Sequence, residues 1–403
     1  MTESVRRAVA AAIHLVPQWS LAEVSGSGTF SVTVGDSTAY VFATQAPSKR
    51  LDTLVEVIEE RLPALAEISA PLPATMSTEL VQRRVVQHWL EKLPGEVAWN
   101  ELLGYVEDLG SRTYENDPVG CNIVVTHEHP DNVPEVFVTD PIHQKVLDPL
   151  AGSPFSYLRV TSDLRFVSYD EIPWNEVSDE RRYEFYPGFL RPLAGAVREE
   201  EYAVHRTSRG DIVIQDQDGM IASRRKGRWR IYEMADLQVA AKEHLNGKLR
   251  LAQNLLEVAL SLSFKRHGAL LVYDPGHRVV EELTNGAECR MSGDGTQGDA
   301  CRQMLASTLH PIALGAPYPD PKTRRRLLEA STLDGAVIFD DEHVLAIGAM
   351  IRPHENVPPE KGARSTAALS ALWHQGHPIK ISADGDITFY TLDADVVRSL
   401  SLL

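Results

Sequence analysis

A carboxylate and a glycine stand at the mouth of a buried strand near the C-terminus. Asp334 and Gly335 directly precede Ala336, the first residue of an apolar run that ends at Phe339. A carboxylate there could bind a divalent metal, and a glycine lets a ligand come close to the backbone. Taken alone, an Asp-Gly pair is more often only a turn before a strand. Asp334, Gly335 and Ala336 become a candidate site because of the loop that follows them.

The second loop places a glycine, a guanidinium and two hydroxyls at the start of a helix. Gly362 is followed by Arg364, Ser365 and Thr366, and a helical pattern continues to Gln375. Backbone N–H groups at a helix N-terminus and an arginine side chain both bind phosphate. The plain alternative is an ordinary helix start with Ser365 as its N-cap. Together the two loops predict one nucleotide site, in which Asp334 would hold a metal.

The elements that must position these loops alternate between helix and strand. A helix with one apolar stripe over residues 245–260 is followed by a buried strand at Ala269–Tyr273. Further strands are predicted at 336–339, 344–351, 378–382 and 387–391, and helices at 296–309, 322–330 and 365–375. This alternation predicts a layered α/β domain with a mixed β-sheet flanked by helices over residues 236–403.

The chain before this domain reads as a mixed α+β region. Residues 1–98 combine a period-two strand with two helical stretches and predict an N-terminal α/β region. Residues 99–235 predict a β-rich middle region, with strands at 121–126, 135–139 and 164–169 and a hairpin that turns at Asp218-Gly219. The 403 residues therefore suggest two to three domains.

The order of the C-terminal motifs resembles the diadenylate cyclase (DAC) domain. The motifs are Gly268 to Tyr273, Asp334 to Ile338, Gly362 to Ala368 and Ile379 to Ile387, and the resemblance covers about residues 236–395. In that family two ATP molecules meet across a two-fold interface, and each 3′-hydroxyl attacks the other's α-phosphate to give cyclic di-AMP. The resemblance implies Asp334 as catalytic residue and metal ligand, Mg²⁺ or Mn²⁺ as the metal, and a homodimer when active.

Two departures from the family pattern bear on activity. The family's second motif reads Gly-Thr-Arg-His-Arg-Ala-Ala, and here Ala363, Ser365 and Thr366 replace its threonine, histidine and second arginine. The residues before Asp334 also lack the family's usual histidine. Imidazole and guanidinium stabilise developing phosphate charge far better than hydroxyls do. The chain is in this respect similar to a predicted nucleotide-sensor branch of the family that carries an extra N-terminal region.

The function predicted from this resemblance is an intracellular sensor of ATP or a cyclic dinucleotide, in bacterial signalling or defence. One alternative is an active diadenylate cyclase, which would be a nucleotidyltransferase and would need the divalent metal. A second alternative is a scaffold that binds no ligand. Whether the protein is an enzyme therefore stays open at the level of sequence.

An unrelated hypothesis is a zinc site in the middle region. A histidine-rich segment after a predicted strand has spacing typical of the metallo-β-lactamase motif, although Asn132 stands where that motif continues with histidine. The candidate ligands are His127, His129, Asp131, His143 and His205. A solvated loop between strands is the favoured reading.

Composition limits the range of partners. The formal net charge of -16 argues against general binding of nucleic-acid backbone. Two basic segments, at 223–229 and 322–326, interrupt this acidic sequence and are best explained as a hairpin tip and a solvated helix face. Three scattered cysteines and the absence of a long apolar segment predict a cytoplasmic protein that does not enter a membrane.

Overall fold

The computed structural model divides the chain into two compact units, Met1–Met234 and Ala235–Leu403. It describes residues 2–21, 29–35, 37–43, 48–114, 117–127, 135–152, 156–171, 191–291, 321–358, 362–393 and 396–402. The helix predicted at 296–309 and the segment 128–132 of the zinc motif lie outside these residues. None of the helices in the described ranges combines the length and apolar composition needed to cross a membrane.

The first unit begins with helices and continues with strands. Its helices are α1 (Glu3–Ile13), α2 (Lys49–Ser69), α3 (Ala74–Glu91), α4 (Trp99–Asp108), α5 (Pro141–Ala151) and α6 (Arg191–Ala194), with a 3-10 turn at Leu109–Ser111. Its strands are β1 (Ser20–Leu21), β2 (Phe30–Val34), β3 (Ser37–Phe42), β4 (Thr113–Tyr114), β5 (Asp117–Pro118), β6 (Cys121–Thr126), β7 (Ser156–Thr161), β8 (Phe166–Glu171), β9 (Tyr202–Arg206), β10 (Ile212–Asp216), β11 (Gly219–Arg225) and β12 (Arg228–Ile231).

A seven-stranded mixed sheet dominates this unit. Its order is β12-β11-β10-β9-β6-β7-β8, with β6 and β7 parallel and the other neighbours antiparallel. One buried core contains Val9 of α1, Val85 of α3 and Trp229 of β12, so the helices before residue 98 and the sheet after it pack together. The hairpin predicted at Asp218-Gly219 is confirmed as the β10–β11 pair.

The strand predicted at 135–139 is wrong. In this stretch the backbone forms only one isolated bridge, between Phe137 and Arg165, and then turns into α5. The run of β-branched and aromatic residues, Val136-Phe137-Val138, suggested a strand, but strand structure needs a partner along its length, and here the pairing is limited to that one bridge.

The second unit alternates helices and strands as predicted. Its described helices are α7 (Met234–His244), α8 (Leu249–Phe264), α9 (Arg278–Glu281), α10 (Gly286–Cys289), α11 (Pro321–Ala330) and α12 (Ala363–Trp373). Its strands are β13 (Ala269–Tyr273), β14 (Ala336–Phe339), β15 (Val344–Ala349), β16 (His377–Ile381), β17 (Ile387–Asp393) and β18 (Val396–Ser401).

A six-stranded mixed sheet forms the centre of the second unit. Its order is β15-β14-β13-β16-β17-β18, and only the β13–β14 pair is parallel. The small side chains of Ala368 and Ala371 on α12 share a core with Leu270 and Ile338 of the sheet. Helices and mixed sheets in both units confirm the predicted α/β fold class.

Candidate functional site

The parallel pair β13–β14 brings the predicted loops to one edge of the sheet. Leu270 pairs with Ala336 at the start of the ladder, so the segments that lead into the two strands, with Gly268 and Asp334, lie at the same edge of the sheet. Neighbouring strands are about 4.8 Å apart. His267 joins the two approaches, because its Nε2 donates to the carbonyl of Thr332 at 2.9 Å. We call this region, together with the start of α12, the amino-terminal edge.

Asp334 presents its carboxylate at the surface of this edge. Its side chain is exposed, and Oδ1 accepts a hydrogen bond from the Gly335 N–H at 3.1 Å. Within the described residues, no group of three or more histidines, cysteines and acids is arranged to hold a metal. Mg²⁺ commonly binds through one or two carboxylates together with substrate phosphates. Asp334 therefore fits a divalent ion that arrives with a nucleotide, not one held by protein side chains alone.

Gly335 and Ala336 have structural reasons for their residue types. Gly335 has φ +101°, and a Cβ there would lie 2.5 Å from the carbonyl carbon of Gly348. Ala336 is buried, and its methyl group packs in the core. These two residues can offer a ligand only their backbone groups. The tight approach to β15 explains the glycine without any ligand.

Arg364 reaches the amino-terminal edge through Gly268. A Cβ added to Gly268 would lie 2.5 Å from Nη1 and 2.8 Å from Cζ of Arg364, so the guanidinium lies directly against the glycine backbone. Gly268 precedes β13 and Asp334 precedes β14, so Arg364 and Asp334 both lie at the edge where these parallel strands begin. A guanidinium binds phosphate oxygens through two parallel hydrogen bonds, which makes this position suitable for phosphate.

The start of α12 contributes further donors. Gly362 has φ +124° and precedes the first helical residue, so the N-cap is Gly362 and the prediction of Ser365 as N-cap is wrong. Its carbonyl accepts from the N–H groups of Ser365 and Thr366 at 3.1 and 3.2 Å. The first turn contains no acidic residue. The positive end of the helix dipole therefore faces this edge without a side-chain carboxylate from that turn.

The hydroxyls of Ser365 and Thr366 differ in what they contact. Thr366 Oγ1 donates back to the carbonyl of Gly362 at 3.4 Å. Ser365 Oγ accepts from Nζ of Lys380 at 3.2 Å, which leaves its own proton able to donate to a ligand. Ser365 is therefore the better placed phosphate donor of the two.

Lys380 is a residue of this edge that the sequence motifs do not predict. It lies on β16 between the buried Ile379 and Ile381 and pairs with Leu270 across β13. Its ammonium group lies 5.7 Å from the ring centroid of Tyr390 as well as beside Ser365. The signal in the sequence is one lysine that breaks the apolar pattern of a strand, but only the packing of α12 on the sheet shows what the lysine meets.

The basic segment before Asp334 has partners within the unit. Arg324 pairs with Glu257 of α8, and Arg325 Nε lies 3.1 Å from Glu329 one turn further along α11. These ion pairs support the reading of α11 as a packed and solvated helix face.

Among the described residues no group of three or more histidines, cysteines and acids could hold a metal ion, so His127, His143 and His205 do not form a zinc site together. His127 packs against Gly95 and contacts the carbonyl of Glu200. His205 donates from Nδ1 to Oδ1 of Asn122 at 2.5 Å, and burial lowers its pKa to about 4. Because Asn122 and His205 face each other across β6 and β9, His127 lies about 16 Å along the strand from that pair.

Comparison with known proteins adds no family. No family model matches the chain, and no curated protein matches it. Among solved structures, a hypothetical membrane spanning protein from Bacillus cereus is 20% identical, covering 42% of this chain and 74% of that chain, with a TM-score of 0.26. A double mutant of DacA from Staphylococcus aureus is 17% identical, covering 38% of this chain and 89% of that chain, with a TM-score of 0.24. At these scores neither likeness supports an argument about this protein.

Proposed function

We propose that the second unit binds the phosphates of ATP or of a cyclic dinucleotide at the amino-terminal edge and acts as a sensor in the cytoplasm. One observation supports the proposal: the guanidinium of Arg364 lies against Gly268, which precedes β13, and Asp334 precedes β14, the parallel neighbour of that strand. Two loops far apart in sequence thus offer a cation and a carboxylate, the ligand type that divalent metals prefer, at one edge. The bacterial signalling or defence role rests on the resemblance alone.

The chemistry of this edge favours a phosphate group. Arg364 supplies charge-assisted hydrogen bonds, and the N-terminus of α12 adds backbone donors and a favourable dipole. Lys380 adds a second cation next to Ser365. Asp334 would repel a bare phosphate, so it is best used through Mg²⁺ or Mn²⁺ bound together with the nucleotide.

Binding without turnover is favoured over cyclisation. Ser365 and Thr366 stand where the resembled family has an imidazole and a second guanidinium. In the fold the Thr366 hydroxyl donates to the Gly362 carbonyl, so its proton is already engaged within the helix start. A cyclase would need strong stabilisation of phosphate charge in the transition state, and fewer groups here can provide it. An active diadenylate cyclase, assembled as a homodimer with Asp334 and the metal, is the alternative.

Binding is tested with labelled ATP and labelled cyclic di-AMP, each with and without Mg²⁺. We expect saturable retention by the wild-type protein, and Arg364→Ala should weaken it by about tenfold or more because a charge-assisted contact is lost. Arg398→Ala is the matched control, because Arg398 lies on β18 at the far end of the sheet and pairs with Asp393 at 2.7 Å.

Turnover is tested in the same samples by resolving the products. A cyclic dinucleotide made by the wild-type protein and lost in Asp334→Asn would replace the sensor by the cyclase. If the wild-type protein retains neither ligand and makes no product, both the sensor and the cyclase are excluded, and the scaffold that binds no ligand remains.

A further inference from the structure

A basic pocket in the first unit is separate from the site described above. It has a volume of about 700 Å³, and its walls come from α1, from the start of α3 and from the β11–β12 hairpin. Its charged lining residues are Arg7, Lys226, Arg228, Arg230 and Glu79. Four cations and one carboxylate give a formal charge of +3, in a protein whose net charge is -16.

The β11–β12 hairpin places Lys226, Arg228 and Arg230 at this pocket. Lys226 and Gly227 have φ of +49° and +81°, which is the two-residue turn that suits the twist of paired strands. A Cβ at Gly227 would lie 2.4 Å from Oε1 of Glu79, so the turn packs closely on α3. Arg228 and Arg230 lie two apart on β12 and therefore point to the same side of the strand.

The floor of the pocket is rigid. Gln82 is buried, its Nε2 donates to the carbonyl of Ala11 on α1 at 3.1 Å, and its Oε1 accepts from the N–H of Trp229 on β12 at 3.2 Å. The backbone of β12 also donates from Ile231 to the carbonyl of Leu15 at 2.7 Å. One side chain and one backbone bond thus hold the three walls in register, so the cavity is formed in advance of any ligand.

The remaining wall adds donors for an anion. Thr75, Ser77 and Thr78 of the first turns of α3 line the pocket. The helix has no side-chain cap and no acidic residue in its first turn. Its first N–H groups therefore lack partners within the helix and carry the positive end of the helix dipole.

The pKa of His14 agrees with an excess of positive charge around the pocket. His14 also lines the pocket, and its pKa is lowered by burial and then by the positive charges of Arg230 and Arg228. The charges of these two arginines therefore act at the cavity that His14 lines, and a positive potential of this kind attracts an anion.

We propose that this pocket binds a small anion that carries one or two phosphoryl groups. The volume lies in the range of small-molecule sites, which is about 300 to 1,000 Å³. Guanidinium and ammonium groups, hydroxyls and helix N–H groups are the donors that phosphate oxygens use. A long polyanion is disfavoured, because most of its length would meet the negative surface of the same protein.

The proposal is tested with labelled pyrophosphate in equilibrium dialysis of the full chain. All variants carry Arg364→Ala, so that binding at the amino-terminal edge contributes less. We expect saturable binding of one pyrophosphate per chain, and about tenfold or more weakening by Arg7→Gln and by Arg228→Gln. Arg6→Gln is the matched control, since Arg6 is the exposed neighbour of Arg7 on α1 and does not line the pocket.

A second readout reports on the pocket itself. Pyrophosphate should raise the pKa of His14, followed by NMR titration of its ring, because an anion offsets the charges of Arg228 and Arg230. Both substituted arginines have exposed side chains, and unchanged melting temperatures will show that the variants fold. Absence of saturable binding at about 1 mM pyrophosphate would overturn the proposal. Equal weakening by Arg6→Gln and Arg7→Gln would overturn it as well, because binding would then be a general surface effect.

Discussion

Two glycines of the amino-terminal edge have positive φ but very different surroundings. At Gly335 an added Cβ would lie 2.5 to 2.9 Å from backbone atoms of Gly348 and Ala349. At Gly362 an added Cβ would meet nothing within 4 Å. Backbone atoms cannot move aside as the end of a flexible side chain can. The two positions thus separate the effect of backbone strain from the effect of a steric clash.

We expect Gly335→Ala to destabilise the protein by about 3 kcal/mol or more, since strain and clash act together. Gly362→Ala should lose less than Gly335→Ala, about 1 to 3 kcal/mol, because its positive φ adds strain without a clash. Urea denaturation of the two variants and the wild type measures the difference. Equal losses would mean that the loop before β14 relaxes away from β15.

The residue scale also shows which part of the site could be read from the sequence. Local motifs predict Asp334 and Arg364, and both lie at the edge where β13 and β14 begin, while their role in binding stays a prediction. Lys380 could not be predicted, because its contact with Ser365 depends on how α12 packs across β16. The N-cap was misassigned for a similar reason: Ser365 is a good capping residue, but the chain already turns at Gly362.

At the scale of elements, the joint between α1, α3 and β12 depends on Gln82. Both ends of its amide bond to backbone groups of the other two elements, and the side chain is only 1% exposed. Gln87, one turn further along α3, is also buried, but its amide bonds to the side chains of Arg83, Arg84 and Glu91. Flexible side chains can find water when a partner is lost, whereas a buried backbone group cannot.

Gln82→Met should therefore lower the free energy of unfolding by about 2 to 3 kcal/mol. The Trp229 N–H and the Ala11 carbonyl would then be buried without a hydrogen-bond partner from residue 82. Gln87→Met, the matched control on the same helix, should lose about 1 kcal/mol or less. Denaturant titration of both variants measures this. A loss at Gln87 as large as that at Gln82 would show that burial matters here and the backbone contacts do not.

Elements in the second unit were predictable because their signals are local. Ala269–Tyr273 is an apolar run closed by Asp274, and α8 ends just before Gly268 with basic residues in between. The strand predicted at 135–139 failed because strand structure is decided by the partner, and Phe137 meets only Arg165. The basic pocket cannot be predicted from local motifs, because Arg7, Thr75 and Arg228 are far apart in sequence and come together only in the fold.

At the scale of the whole molecule, each unit contains a histidine that the fold keeps neutral. Burial lowers the pKa of His205 in the first unit to about 4. Burial, and then the charge of His377, lower the pKa of His244 in the second unit to about 4 as well. Because the unfolded chain binds protons at these sites near pH 6.5, it binds more protons than the folded chain between pH 6.5 and 4. Acid therefore favours unfolding over this range.

Stability from these two groups should be fully present above about pH 6.5 and should be lost as the pH falls towards 4. Between pH 7 and pH 5 we expect a loss of about 2 kcal/mol for each histidine. Denaturation at both pH values should show a smaller loss in His205→Gln and in His244→Gln. A double variant that kept the full pH dependence would assign the effect to other groups.

Gly335 and Gly348 limit how this part of the sequence can change during evolution. Each has positive φ, a Cβ on Gly335 would collide with Gly348, and a Cβ on Gly348 would lie 3.2 Å from the carbonyl oxygen of Asp334. Both positions disfavour a side chain, Gly335 because its Cβ would clash with backbone atoms and Gly348 because of its positive φ and its close approach to Asp334. Homologues that keep this turn should keep glycine at both places, however far the rest of their sequences have diverged. The pair is therefore a fingerprint by which distant relatives could be recognised.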